Sequence, residues 1–305
     1  VGVEPQLKSI KGLSSAGFHE IAYREWGPEE AERTVVCVHG LTRNGRDFDT
    51  LAANLAESGC RVVCPDVVGR GDSDWLRNPA DYGYPQYLQD MTALLARLEV
   101  ERVDWVGTSM GGLIGMMLAA QPGGQPIRRL VINDVGPLIP KAALERIAEY
   151  VGRDWAFADL AEADKHLRKA YATFGELTEE QWRKLVADSI REKPGGGYIP
   201  NYDPRIGDAF VAGPLDDVEI WSVWDAVSCP VLLLRGLFSD LLSANTAAQM
   251  TLRGPQATLV EVPDAGHAPA LLSRPEVETI RLWLEGAYDA ALDAGLEPAQ
   301  QARGA

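Results

Sequence analysis

The chain has 305 residues, 46% hydrophobic and 24% charged, the proportions of a soluble globular protein long enough to bury a sizeable core. A formal charge of −15 argues against a nucleic-acid partner, which needs concentrated lysine and arginine, and disfavours strongly anionic substrates. No apolar run approaches the roughly 20 residues that cross a bilayer, no basic stretch with an apolar core opens the chain, and Cys37, Cys60, Cys64 and Cys229 form no Cys-x-x-Cys, so buried free thiols and a cytoplasmic location are expected.

Two extended segments, Leu7–Leu13 and His19–Trp26, come first, the second closed by the turn signal Gly27-Pro28. Thr34–Val38 is a continuous apolar strand of the kind buried on both faces of a parallel sheet. Phe48, Leu51, Ala52 and Leu55 then recur at helical spacing, Arg61–Cys64 is a strand, and Tyr87–Leu98 is a helix with Leu88, Met91, Leu94, Leu95 and Leu98 on one face. Val103–Val106 and Arg129–Asn133 are strands separated by a small-residue helix, Gly112–Ala120. This alternation predicts a parallel sheet covered on both faces by right-handed crossovers. It stops near Gly136. Amphipathic helices follow at Ala142–Val151, Leu160–Phe174 and Glu179–Ile190, with a Gly/Pro-rich hinge or loop at Pro194–Gly197. Strands resume at Val231–Leu234 and Thr258–Val262, and a closing helix spans Pro275–Ala291. The expected organisation is a core of residues 1–136 and 226–294, a helical cap of residues 137–225 and a flexible tail of 295–305. Because the cap interrupts the sheet between two strands, its ends should meet at the strand C-terminal side, where ligands bind in open α/β sheets.

The densest chemistry lies in Gly107-Thr108-Ser109-Met110-Gly111, a Gly-x-Ser-x-Gly pattern between a buried strand and a helix. A strained turn there lifts the serine hydroxyl above the sheet, and the glycines remove Cβ atoms where strand and helix crowd. A serine needs a base. Of four histidines, His19 lies on an early strand and reads as structural, His166 sits on a charged helical face, and His39 packs behind the loop Gly40-Leu41-Thr42. His267, on the loop after the last strand, is assigned as the base. The backbone N–H groups of Met110, at the helix start, and Leu41, after Gly40, are assigned to an oxyanion hole. Two carboxylates follow sheet strands and can orient the histidine: Asp240, after Val231–Leu234, and Asp134, after Arg129–Asn133. No His or carboxylate stands at metal-ligand spacing, so neither metal nor cofactor is expected.

The chain resembles the α/β-hydrolase superfamily over most of its length. The resemblance rests on Val38-His39-Gly40, Asp66 to Ser73 with its Gly69-Arg70-Gly71, Gly107 to Gly112, Arg235-Gly236 with Ser239-Asp240, and Gly266-His267, in the family's order. Val67-Val68 departs from the proline that many members carry there. The resemblance implies a mostly parallel, eight-stranded twisted sheet with helices on both faces and a helical cap between the sixth and seventh strands. It also makes Asp240 the preferred triad acid, since the Ser-Asp-turn setting is the commoner one. Ser109 sets the chain apart from the branches with an aspartate nucleophile, and Met110 from the cofactor-free dioxygenases. The expected activity is a serine carboxylesterase acting through an acyl-enzyme on a small or medium ester, lactones and short polyester oligomers included. The alternatives are a carbon–carbon bond hydrolase for ring-fission diketo acids, with Arg43 as the carboxylate anchor, and a receptor-like binding protein. Trp155, Trp182 and Trp221 are the substrate-contact candidates in the cap, with Trp224, Phe174 and Tyr171 beside them. The expected partners are a small-molecule ester and, at most, a second copy of the chain.

Overall fold

The computed structural model describes residues 4–122 and 125–289. The chain opens with a hairpin, β1 (Gln6–Ser14) and β2 (Gly17–Trp26). The alternating layers follow: β3 (Thr34–Val38), α1 (Asp49–Glu57), β4 (Arg61–Pro65), α2 (Tyr84–Arg97), β5 (Val103–Thr108), α3 (Met110–Ala119) and β6 (Ile127–Asn133). An insertion carries β7 (Leu138–Ile139), α4 (Lys141–Ala148), α5 (Leu160–Ala170), α6 (Glu179–Ser189), β8 (Ile190–Glu192), β9 (Tyr198–Pro200), α7 (Asp208–Val211), β10 (Val218–Glu219) and α8 (Trp221–Ala226). β11 (Val231–Gly236), α9 (Ala244–Leu252), β12 (Thr258–Val262) and α10 (Arg274–Glu285) complete the sheet and its cover.

The eight-stranded sheet runs β1-β2-β4-β3-β5-β6-β11-β12, and only the pairings of β2 are antiparallel. Strand periodicity sorts the core into two layers. Val35 and Cys37 of β3 face the layer of Leu51 and Leu55 from α1 and Ile280 and Trp283 from α10. Val36 and Val38 face Met91 and Leu94 from α2, Leu113 and Ile114 from α3, and Met250 from α9. Because both faces are covered, the inner strands are apolar at consecutive positions, which is why they are legible as continuous runs.

The insertion lies between the sixth and seventh strands of the sheet, β6 and β11. Its ends do meet: β7 at the entrance pairs antiparallel with β10 near the exit, Ile139 opposite Val218. It has a small core of its own, in which Phe157, Leu167, Tyr171 and Leu185 pack with Trp155, Trp182 and Phe174. Pro194–Gly197 forms the turn of the β8–β9 hairpin; Gly195, Gly196 and Gly197 all have positive φ, which only glycine adopts without strain. Helices differ from expectation in several places: α4 stops at Ala148, three residues early, and α7 and α8 are short helices not expected from the sequence. α5 stops at Ala170, four residues early; α10 stops at Glu285 against a left-handed Gly286; and α9, rich in alanine and threonine, has too weak an apolar stripe to be read from sequence. The tail expected at 295–305 lies outside the described residues.

Candidate active site

Ser109 sits between β5 and α3 with φ 51° and ψ −112°, a conformation that costs a non-glycine residue about 1–3 kcal/mol and persists only where its surroundings impose it. The glycines around it show how. A Cβ on Gly107 would stand 2.3 Å from the Gly111 carbonyl oxygen, and one on Gly111 would stand 2.0 Å from that of Val38. The elbow therefore presses against the end of β3, and the Gly40 loop is brought beside the serine, with 3.8 Å from an ideal Gly40 Cβ to Ser109 Cβ.

His267 reaches this point from three strands away, on the loop after β12. Its loop leaves β12 and crosses the end of β11 at Gly236, where a Cβ would lie 2.1 Å from the Gly266 oxygen. Asn133 at the end of β6 donates to the Pro269 carbonyl at 2.8 Å and holds the far side of the crossing. His267 Nε2 lies 3.1 Å from Ser109 Oγ, and Nδ1 lies 2.7 Å from Asp134 Oδ2. The carboxylate on the histidine is thus Asp134 and not Asp240. Asp134 follows β6 directly, has φ 58° and is fully buried; its other donors are the Gly236 N–H at 2.9 Å and the Ser239 hydroxyl at 2.6 Å. Asp240 stands four residues beyond Gly236, where the loop has turned outward, and its carboxylate pairs with Arg146 of α4 at the surface. The β11 loop contributes the serine next to Asp240 as a brace, so the expected segment takes part through a different residue.

His39 packs as expected. Its buried ring joins two loops, Nδ1 donating to the Gly40 carbonyl at 2.7 Å and Nε2 accepting from the Val67 N–H at 2.9 Å. Burial pushes its pKa down to about 3, so the ring stays neutral. His19 is structural too, buried 3.0 Å from both oxygens of Asp90. His166 is half-buried, its ring tilted against that of Trp155 at 4.2 Å between ring centroids.

Leu41, Ser109 and Met110 open onto one cavity of about 210 Å³. Tyr84 and Tyr87 of α2, Leu113 of α3, Leu144 and Ile147 of α4 and Phe210 of α7 form much of its wall. The tryptophans expected there are elsewhere: Trp155 and Trp182 are in the insertion's core, and Trp221 carries the Arg253 guanidinium 4.6 Å above its ring. Arg43 is also committed. It pairs with Asp47, donates to Ser189 and stacks 4.7 Å from the Tyr171 ring, so it offers no free charge to a substrate. The wall residues were missed because apolar positions on α4 and α7 are indistinguishable in sequence from helix core.

The insertion also holds the histidine loop. Thr173 accepts the Gly266 N–H on its carbonyl at 2.7 Å and donates its hydroxyl to the His267 carbonyl, while Phe174 accepts from the Ala270 N–H at 3.1 Å.

A model of the alpha/beta hydrolase family matches residues 35–282. The chain is 43% identical over 298 residues to a 3-hydroxybutyrate-oligomer hydrolase of Cupriavidus necator, covering 94% of this chain and 100% of the relative. It is 26% identical over 276 residues to an esterase of Mycobacterium tuberculosis, covering 88% and 86%. An alpha/beta hydrolase from Novosphingobium aromaticivorans superposes with a TM-score of 0.82 at 38% identity, over 93% of this chain and 99% of that one. The chain belongs to the alpha/beta hydrolase family, and with relatives of these kinds it is a carboxylic ester hydrolase.

Three outcomes are expected. Asp134→Asn lowers kcat by about 10³–10⁴-fold by losing the acceptor that fixes the histidine tautomer, whereas Asp240→Asn, which loses an exposed ion pair, stays within about twofold; steady-state kinetics of both variants would reverse the assignment if the order were opposite. Thr173→Val lowers kcat by about tenfold with KM nearly unchanged, and Thr173→Ser restores it, since misplacing a reacting group by less than an ångström is costly. The third concerns acid stability. Unfolded, His39 takes up a proton near its ordinary 6.5, and folded it does so only at about 3, so the stability it protects is complete above 6.5 and is lost as pH falls through that window. His39→Gln, which keeps a donor and an acceptor, should flatten urea-measured stability between pH 7 and 5 by about 1 kcal/mol per pH unit, since the unfolded imidazole is only partly protonated over the upper part of that window. An unchanged slope would refute a neutral buried ring.

Proposed function

We propose that this ester hydrolase cleaves short oligomers of a 3-hydroxy acid, such as 3-hydroxybutyrate, through an acyl-enzyme on Ser109. The observation that carries the reading is the unbroken contact Asp134–His267–Ser109 at the wall of an apolar cavity. Ser109 Oγ attacks the ester carbonyl while His267 Nε2 takes its proton; Asp134 holds Nδ1–H and stabilises the imidazolium. The carbonyl oxygen, now negative, is received by the N–H groups of Leu41 and Met110. His267 then gives its proton to the leaving alcohol. A water, deprotonated by the same nitrogen, releases the acid.

The substrate class is supported by the full-length relative named for 3-hydroxybutyrate oligomers and by the walls of the cavity. Methyl-branched acyl units suit aliphatic and phenolic surfaces, and no lysine or arginine is among the residues described as lining it. The engagement of Arg43 with Asp47 takes away the anchor expected for a diketo acid and so weighs against the carbon–carbon hydrolase. Residues 137–225 act in this reading as a lid, since Leu144, Ile147 and Phe210 roof the cavity. A cytoplasmic location belongs to the same proposal, in keeping with four buried free thiols.

The test is release of 3-hydroxybutyrate from its dimer and trimer, beside a short chromogenic acyl ester and a dienone diketo acid. Turnover of the oligomers that falls at least about 10⁴-fold in Ser109→Ala is expected. Cleavage of the diketo acid in preference to every ester would sink the reading, as would full activity in the alanine variant.

A further inference from the structure

Arg70 carries a buried positive charge that the mechanism above does not use. It has no exposed surface, and its guanidinium ends on the two residues assigned to the oxyanion hole. Nε donates to the Leu41 carbonyl at 2.9 Å, and Nη2 lies 3.6 Å from the Met110 sulfur; Nη1 donates to the Val68 carbonyl at 2.7 Å. The ring of Tyr87 lies 4.9 Å and that of Tyr82 6.0 Å from its central carbon.

The surroundings leave the charge uncompensated. Among the described residues Arg70 forms no ion pair. Asp66, at the head of the same loop, serves the N–H groups of Gly45 and Asp72 and faces Arg24. Asp203, from the insertion, is taken by Arg205 and the Tyr82 hydroxyl. The insertion also seals the loop, the Asp203 N–H bonding the Gly69 carbonyl at 2.8 Å and the Gly71 N–H bonding the Asn201 carbonyl at 3.0 Å. A guanidinium keeps its charge wherever it is put, and burying one without a counter-ion is expensive. Neutral side chains of the same length would support Leu41 and Met110 at lower cost, so the charge itself asks for an explanation.

We propose that Arg70 is a positioning residue of the oxyanion hole: it braces Leu41 and Met110 from behind and sets a dry positive charge behind the point where the ester oxygen becomes negative. In a water-excluded interior such a charge acts at a distance that solvent would screen. The ground-state ester is neutral, so the effect falls on the tetrahedral intermediate and not on substrate binding. The inference rests on Ser109 as the nucleophile.

The experiment compares wild type with Arg70→Met, Arg70→Lys and Arg70→Gln, each checked for folding by thermal melting. Each is assayed for kcat and KM on a short chromogenic ester. Each is also assayed for binding of an alkylboronic acid, which forms a tetrahedral anion on the serine, and of an uncharged amide of the same length. Arg70→Met should lose about tenfold to a hundredfold in kcat, with boronate affinity falling in parallel and KM and amide affinity within about twofold. Arg70→Lys, keeping the charge, should exceed Arg70→Gln in both kcat and boronate affinity. The proposal is overturned if boronate and amide weaken equally, as plain distortion would make them, or if a folded Arg70→Met keeps wild-type kcat. Should Arg70→Met not fold, glutamine equal to or better than lysine overturns it and the reverse order supports it. Failure of wild-type ester turnover, or its survival in Ser109→Ala, sinks the serine mechanism instead and is seen before any Arg70 variant is compared.

Discussion

The site depends on one buried carboxylate having enough donors. Asp134 has no exposed surface, and a lone carboxylate in that position would be prohibitive. Three segments satisfy it: the Gly236 N–H at the end of β11, the Ser239 hydroxyl in the following loop, and Nδ1 of His267. The arrangement works in both directions. The donors keep Asp134 in place, and the carboxylate fixes which nitrogen of His267 faces Ser109. Bringing donors from β11 and from the loop after β12 to the end of β6 requires the histidine loop to cross β11, which the missing side chain at Gly236 permits. Backbone space, hydrogen-bond satisfaction and catalytic geometry are therefore one constraint.

The insertion bears on that constraint from outside. It is attached to the catalytic loops by polar contacts near the end of α5, where Thr173 and Phe174 hold the segment from Gly266 to Ala270, and near the end of α6, where Ser189 meets Arg43 and the Asp188 carbonyl meets Asn44. α4 and α7 instead give the cavity its aliphatic and phenyl wall, with the Arg146–Asp240 pair at the surface. One half of the insertion thus shares the hydrogen bonds of the machinery, and the other supplies the surface that an acyl chain meets.

Much of this was legible in the sequence because strong local signals coincide with global needs. Strands buried on both faces read as unbroken apolar runs, and the glycines at 107 and 111 mark close backbone approach whatever the rest of the fold does. Ser109 and His267 followed from strand-end placement. Asp134 against Asp240 did not, because both follow neighbouring strands of the same sheet and differ only in where their loops turn. An acid immediately after its strand, as Asp134 is, stays within reach of the sheet edge; one four residues later has room to turn away. The tryptophans misled for a related reason. Large aromatics at helical spacing serve equally as core or as pocket, and a small insertion that must stabilise itself uses them for core, leaving the pocket to Leu144, Ile147 and Phe210.

The charges behind the two arms of the site have opposite signs. Asp134 lies behind His267, and Arg70 lies behind Leu41 and Met110. The tetrahedral intermediate is itself a pair of charges, an imidazolium on the first arm and an oxyanion on the second, formed from a neutral serine, a neutral histidine and a neutral ester. A fixed negative group on one side and a fixed positive group on the other therefore favour the separated state over the ground state. They do so without reorienting solvent, since both side chains are fully buried. A protein with an overall charge of −15 gains nothing for this step from its surface, where water and salt screen the field. What matters is the short axis through Ser109, along which the fold has paid for two buried charges and placed each where the reaction creates its opposite.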